Sequence, residues 1–350
     1  LKIDDRDFGG WISVRVTRSL EEVAASFDLG VTDWWPGADE RRPLTPHQAC
    51  TLTIDDAPVI SGVIDSVAPR YDAGNHVVQV RGRSLTGQLV DCACEHPSGA
   101  LRDLTLVEIA TRIAEPFGIA VVDLAGETKP FPRVQVEPGE TVFELLERLA
   151  RQRGVFLTDD TRGRLVIRRR SETLQGTLEY GSNVLSAAAN LDGSNQFSNY
   201  RVKGQAEGSD NTGAGTSASS AGRAVDASVP IHRPMILLAE SQGTTVTMGQ
   251  RAKHEAALRR ARARTWTYTV QGWAPDALGL WQAGEEVEVT DPLMGLNKDR
   301  LLVVETTFSL DHRGTVTELK VAPPEGYDLL AEETLQRVSS KSTQTGWDAL

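Results

Sequence analysis

The chain repeats itself at an offset of 36 residues. Thr105-Leu-Val-Glu-Ile-Ala-Thr-Arg-Ile-Ala-Glu-Pro-Phe-Gly118 aligns without a gap on Thr141-Val-Phe-Glu-Leu-Leu-Glu-Arg-Leu-Ala-Arg-Gln-Arg-Gly154. In each copy a Thr stands three residues before a Glu, Thr105 with Glu108 and Thr141 with Glu144. That spacing is a capping box, which satisfies amide donors that a first helical turn leaves without partners. Leu106, Ile109, Ala110 and Ile113 then fall on one face, as do Val142, Leu145, Leu146 and Leu149. Glu144–Arg148 and Glu147–Arg151 are spaced for i,i+4 ion pairs on the outer side. Gly118 and Gly154 suit a left-handed helix stop, and Pro116 weakens the first helix near its end. The apolar segments Ile119–Val122 and Val155–Leu157 read as strands that would pair in a small mixed sheet. The turn Asp159-Asp160-Thr161-Arg162-Gly163 leads into the strand Arg164–Arg168.

Around this helical unit the chain reads as β. Trp11–Thr17, Ala24–Leu29, Cys50–Ile54, Val59–Val67 and His76–Val80 are short strands broken by turn signals, as in a small barrel or sandwich. The β pattern returns near Gly176 with Asn199–Lys203. The stretch 204–228 is dominated by Gly, Ser, Ala and Thr and reads as a long flexible loop. Residues 250–264 form a helix with six basic residues: Arg251, Lys253, Arg259, Arg260, Arg262 and Arg264. Tyr268–Val270, Glu285–Thr290, Leu301–Leu310 and Thr315–Val321 are further strands. A Pro-Pro break precedes a short helical stretch and a polar tail that reads as a connector or docking end. The expected division is a first barrel over 1–97, an α/β domain over 98–175, a second barrel over 176–325 and a C-terminal connector over 326–350. The fold class is α+β, mainly β.

No apolar run approaches the length of a membrane span, and no signal peptide opens the chain, so membrane insertion is not expected. The first residues are Leu1-Lys2, so a residue or more is expected ahead of them. The formal net charge is −11, which argues against a surface that grips nucleic acid. Three cysteines, Cys50, Cys92 and Cys94, make no disulfide framework and point to a reducing compartment. Cys92-Ala-Cys94-Glu-His96 offers three metal ligands in five residues, but no second cluster completes a site.

The residues point away from catalysis. His254-Glu-Ala-Ala-Leu258 has Leu where a zinc-binding helix needs its second His. There is no phosphate loop, no dinucleotide fingerprint and no Gly-x-Ser-x-Gly elbow. His47, His76, His96, His232, His254 and His312 are scattered. No catalytic, cofactor-binding or metal residue is therefore expected, and no cofactor. The basic helix has no interleaved aromatics for stacking on bases, so it reads as a solvated face or one that docks on an acidic neighbour. Trp34-Trp35-Pro36-Gly37 is an interface anchor or a local staple.

Three segments together resemble the baseplate hub protein of Mu-like contractile-tailed phages, grouped with late-control D-type tail proteins. The first is Val80-Arg-Gly-Arg-Ser-Leu-Thr-Gly-Gln-Leu-Val-Asp-Cys92. The second runs from Gly139 to Val155 and continues in Gly163-Arg-Leu-Val-Ile167. It is similar to a block in the hub part of type VI secretion spike proteins. The third is Val270-Gln-Gly-Trp-Ala-Pro-Asp-Ala-Leu-Gly-Leu-Trp-Gln-Ala-Gly284. It departs from the family in having Gln282-Ala283 where Pro is common, and an extra Ala-Leu run before Gly279. The resemblance implies a homotrimer with two barrels per subunit in a ring, and the helical domain outside it. Such a ring would join the tail tube and other baseplate proteins to the central spike and let DNA pass without specific binding. It also implies a place in the virion tail baseplate after assembly in the host cytoplasm. Two alternatives compete with it. Val136-Glu-Pro-Gly-Glu-Thr-Val resembles the opening of a LysM peptidoglycan-binding repeat, but a LysM copy needs a second helix where Gly154 passes straight into a strand. A tail-associated cell-wall hydrolase would need a carboxylate pair or zinc site that no spacing offers.

Overall fold

The computed structural model describes residues 1–3, 6–31, 44–54, 57–73, 76–95, 100–203, 221–238, 245–275, 279–312 and 314–328. Trp34-Trp35-Pro36-Gly37, His96 and most of the C-terminal connector lie outside them. The first β block holds β1 (Lys2–Ile3), β2 (Arg6–Asp7), β3 (Trp11–Ser19), β4 (Ser26–Val31), β5 (Ala49–Ile54), β6 (Ala57–Tyr71) and β7 (His76–Ser84). A short helix, α1 (Gly87–Asp91), follows in a block that the residue pattern alone presents as β throughout. Arg83 clamps it by bonding Asp91 at 2.6 Å and Asp65 at 2.8 Å.

The repeated unit supplies β8 (Ala100–Leu101), α2 (Leu106–Ala114), β9 (Val121–Asp123), β10 (Val134–Gln135), α3 (Val142–Arg153), β11 (Phe156–Asp159) and β12 (Leu165–Arg168). Both capping boxes form. The Thr105 amide donates to Glu108 at 2.8 Å and the Thr141 amide to Glu144 at 2.8 Å. The hydroxyls of Thr105 and Thr141 accept from the amides of Glu108 and Glu144 in return. Both apolar stripes are buried. Gly118 and Gly154 take left-handed φ values of 67° and 62°. The expected Glu144–Arg148 pair does not form. Glu144 is engaged in its cap, and Arg148 bonds Glu140 and the Gln135 carbonyl. The mixed sheet is ordered β11-β12-β9, with β12 antiparallel to β11 and parallel to β9. The two strands that follow the helices therefore share a sheet, with β12 between them. Neither copy follows its helix with a second α-helix, so neither has the LysM order.

The rest of the chain gives β13 (Leu174–Glu179), β14 (Val184–Leu191), β15 (Asn199–Lys203), β16 (Ala221–Val225), β17 (Pro234–Leu238), α4 (Thr245–Arg262), β18 (Arg264–Gln271), β19 (Glu286–Asp291), β20 (Leu296–Asp311) and β21 (Gly314–Ala322). A 3-10 turn at Pro324–Tyr327 follows the proline break. The helix starts before and ends before the expected 250–264, because Arg264 already belongs to a strand. Of the expected loop 204–228, residues 204–220 lie outside the described residues, and β16 and a turn at 226–228 occupy the rest. Val225 is fixed by its register with Asn199 of β15, and Asp226 by side-chain bonds to Gln196, Ser228 and Arg260.

The chain divides into two compact units. The first comprises Leu1–Ala150, Phe156–Ala188 and Trp266–Val321; the second comprises Arg151–Val155, Ala189–Thr265 and Ala322–Leu350. The first unit is built on one sheet of 13 strands, in which both β blocks take part. Strand β20 is the seam. Its first half pairs with β19, from Glu286↔Leu302 to Asp291↔Leu296. Its second half pairs with β3, from Glu305↔Ser19 to Leu310↔Val14. The Thr17 and Thr307 hydroxyls meet across that seam at 3.1 Å. Val16, Phe27, Leu29, Ile60, Ile64 and Val80 from the first block join Tyr268, Val287, Val289, Val303, Phe308 and Leu319 in one hydrophobic core. Each such fully buried side chain contributes about 1.5–3 kcal/mol.

The second unit is a three-stranded sheet, β16-β15-β17, with α4 on one face. Tyr200 and Val202 of β15 point at Met248, Ala252 and Ala256 of the helix. The small residues let α4 lie close to the strands. Gly222 is where the approach is tightest: a Cβ there would stand 1.9 Å from the Met248 carbonyl carbon.

Candidate assembly surface

Several polar groups with unusual environments are engaged in internal ties, while His254 Nε2 and Thr306 Oγ1 are buried without a hydrogen-bond partner among the described residues. Arg18 of β3 donates to Asp159 Oδ1 at 2.7 Å and to the Val59 carbonyl at 2.7 Å, which fastens the α/β insert to the first β block. Asp159 is buried, and burial pushes its carboxyl pKa up against the pull of Arg18. The Cys50 thiol lies in the first block's core and burial raises its pKa to about 12, which leaves it unreactive. Cys92 and Cys94 are free thiols. Their segment is a backbone tie: the Val142 amide donates to the Cys92 carbonyl and the Cys94 amide to the Glu140 carbonyl. Among the described residues no three metal-ligating side chains gather at one place. His47 precedes β5, His76 opens β7, His232 lies between β16 and β17, His254 is on α4, and His312 sits in the β20–β21 turn. No described helix is long and apolar enough to cross a membrane.

The basic helix α4 is only partly a solvated face. Arg259 bonds Glu255 at 2.7 Å and stacks over Phe197 at 5.4 Å. Arg260 reaches Asp226 at 3.0 Å. Asp226 is almost wholly buried and also accepts from Ser228 Oγ at 2.6 Å and Gln196 Nε2 at 2.9 Å. Burial pushes its carboxyl pKa up, but the bonds from Gln196, Ser228 and Arg260 outweigh this and hold it at about 2. Composition alone, which presents 204–228 as featureless loop, misses this site. The available signal is Asp226-Ala-Ser228, a side-chain turn in which the Ser228 amide donates to Asp226 at 3.0 Å.

The folded carboxyl is thus held below its ordinary 3.8. It contributes stability above pH 4 that disappears as pH falls through about 2. Arg260 stays half open to solvent, so the contribution is at most about 2 kcal/mol. In urea unfolding, the advantage of wild type over Asp226→Asn is expected to be full at pH 6 and to shrink between pH 4 and 2. An advantage that is flat with pH would refute this assignment.

Apolar surface remains at a sheet edge. Among the described residues β14 is an end strand of the 13-stranded sheet, next to β18 alone. It reads Val-Leu-Ser-Ala-Ala-Ala-Asn-Leu, with no charge and no proline, and both Leu185 and Leu191 are exposed. Soluble proteins usually protect an edge with lysine, proline or a bulge, because bare backbone donors and acceptors recruit another strand.

The internal ties and the apolar edge are what the described residues offer for assembly. Likeness to known proteins agrees. Residues 1–84 match the family model "Mu phage baseplate assembly protein GpP-like, N-terminal". Residues 86–169 match "Baseplate hub protein gp44-like, second domain", and 244–330 match "Mu phage baseplate assembly protein GpP, fourth domain". The sequence is 33% identical to the baseplate hub protein gp44 of Escherichia phage Mu, over 100% of this chain and 94% of that relative. The fold is similar to the 43 kDa tail protein of prophage MuSo2 from Shewanella oneidensis, with a TM-score of 0.84 and 34% identity over 94% of this chain and 98% of that one. It is similar to the tail protein from Neisseria meningitidis MC58 too, with a TM-score of 0.81 and 24% identity over 93% and 96% of the two chains. The chain belongs to the baseplate hub proteins of Mu-like phages. It is a structural component of a phage tail baseplate, as its relatives are, and not an enzyme. Neither the glycan-binding nor the hydrolase alternative finds support among these likenesses.

Proposed function

We propose that three copies of this hub close into a ring between the tail tube and the central spike. Each copy would give the ring two barrel-like blocks, 1–97 and 176–325. The helical domain 98–175 would stand outside, and the connector 326–350 would meet a neighbouring baseplate protein. The observation that carries this reading is the pairing of the two blocks through β3 and β20 into one sheet that ends on the unprotected edge of β14. Among the described residues no strand pairs with the outer side of β14; a neighbouring copy would cover it, and in a closed three-fold ring every copy's β14 edge meets a neighbour. The net charge of −11 suits a lumen through which DNA slides without sticking. Assembly would take place in the host cytoplasm, where free thiols are maintained.

Multi-angle light scattering at micromolar concentration, with an image along the assembly axis, tests the reading. The expected result is a trimer around a channel wide enough for a DNA duplex. A monomer at every concentration, or a trimer without a channel, would defeat it.

A further inference from the structure

Within the second unit, no described residue covers one face of the sheet, and that face is basic. Tyr200 and Val202 of β15 face α4, so Asn199, Arg201 and Lys203 face away. The register places Arg201 directly opposite Arg223 of β16 and beside Ile236 of β17. Lys203 lies diagonal to Arg223. The open face therefore gathers Arg201, Lys203 and Arg223 around two apolar residues, Val225 at 70% exposure and Ile236 at 57%. None of the three cations has a hydrogen-bond or ion-pair partner among the described residues, and no carboxylate shares the face. Two arginines in direct cross-strand register repel each other within about 5 Å, which costs stability in an isolated chain. The sheet is mixed, with β15 antiparallel to β16 and parallel to β17, and α4 packs on its other face. Unpaired cations beside exposed apolar residues point to a cover that is acidic and partly apolar.

The source of that cover is legible in the charge distribution. Residues 189–265 hold ten lysines and arginines against six aspartates and glutamates. The chain as a whole holds 37 against 48, so the remainder is acidic by 15 charges. We propose that the open face of β16-β15-β17 docks onto the acidic remainder of a second copy of this chain. The two contacting surfaces differ, so the contact is head-to-tail, the kind that closes a ring when the rotation allows. Val225 and Ile236 favour a protein partner over a phosphate backbone, which would leave them wet. The inference rests on the trimer reading and adds to it the surface that makes the contact salt-sensitive.

The test is Arg223→Glu, compared with wild type by light scattering over a concentration series at several salt concentrations. Arg223→Glu places a carboxylate opposite Arg201, so the β15–β16 pair should hold at least as well as before. Association should weaken by about tenfold or more, because a basic contact becomes repulsive. The thermal midpoint of the dissociated chain should stay level or rise. The double variant Arg201→Gln/Arg223→Gln should weaken association with no change in near-UV circular dichroism. Raising salt should weaken wild-type association and leave Arg223→Glu little changed. A wild-type trimer with an equally tight Arg223→Glu trimer would overturn the docking face and spare the trimer reading. A wild type that never associates would overturn both. Binding of a 20-base-pair duplex at 0.15 M salt by wild type but not by Arg223→Glu would reassign the face to nucleic acid and overturn the proposal.

Discussion

Replacing Arg18 with methionine is expected to cost about 3–5 kcal/mol of folding stability, the largest loss from one polar substitution in the first unit. The guanidinium donates to Asp159 Oδ1 at 2.7 Å, the Asp159 carbonyl at 3.0 Å and the Val59 carbonyl at 2.7 Å. The pair is nearly dry, with side-chain exposures of 16% for Arg18 and 5% for Asp159. Methionine fills the space but leaves a buried carboxylate with weaker donors, the Ala25 amide at 3.3 Å among them. Removing one partner of a buried pair costs more than the pair itself contributes, because the remaining charge stays desolvated. The thermal midpoint should drop by roughly 4–7 °C in a chain of 350 residues. The sign of the pH dependence follows from the carboxyl. Burial already pushes its pKa up, and without Arg18 the largest opposing pull is gone. A raised carboxyl pKa favours the folded state as pH falls, so the deficit of the variant should be greatest near neutrality and shrink in acid. Arg18→Met/Asp159→Leu should regain most of the loss. A double variant no better than the single one would show that the lost bonds to the Val59 and Asp159 carbonyls, and not the charge pair, account for the loss.

Replacing Gly222 with valine should undo the second unit's packing, at a cost of about 3 kcal/mol or more. The atoms that a Cβ would meet are backbone: the Met248 carbonyl carbon at 1.9 Å and the Gly249 amide nitrogen at 2.1 Å. A side chain can swing aside, but a helix backbone moves only as a whole. To admit a branched side chain at that position, α4 must lift off β16, which exposes Tyr200 and Val202. Far-UV circular dichroism should keep most of its helix signal while near-UV signals fall and protease sites in 189–265 open. Gly193→Ala is the matched control, because its Cβ would meet nothing nearer than Gln196 Oε1 at 3.9 Å. Its stability should stay within about 0.5 kcal/mol of wild type. Equal behaviour of the two variants would mean that the close helix approach contributes little.

Much of the local structure is legible in the residues because the interactions that set it span four residues or fewer. Thr105 with Glu108 and Thr141 with Glu144 cap their helices as spaced, and the glycines stop them. The strand Asn199–Lys203 has the ends its pattern predicts. Expectation and structure part where a side chain has a choice. Arg148 has Glu144 one turn back but bonds Glu140, because Glu144 is already engaged in its cap. The composition of 204–228 cannot show that Asp226 ties Gln196, Ser228 and Arg260 together. The pairing of Arg201 with Arg223 is equally hidden, since the two residues read as ordinary surface charge until the strands align them.

Where helices start and stop, which segments alternate as strands, that no catalytic spacing occurs, and which family the ordered motifs resemble can all be read along the chain. These are properties of near neighbours, set by capping, periodicity and composition. Only the folded chain reveals that β3 pairs with β20, that β17 runs parallel to β15, that β14 is left as a bare edge, and that Arg18 meets Asp159. Thr17 and Thr307 lie 290 residues apart, and no local rule links them. Such contacts depend on which buried faces fit together once the whole chain has collapsed, because strand pairing saturates hydrogen bonds with any edge that registers while shared burial selects the partner.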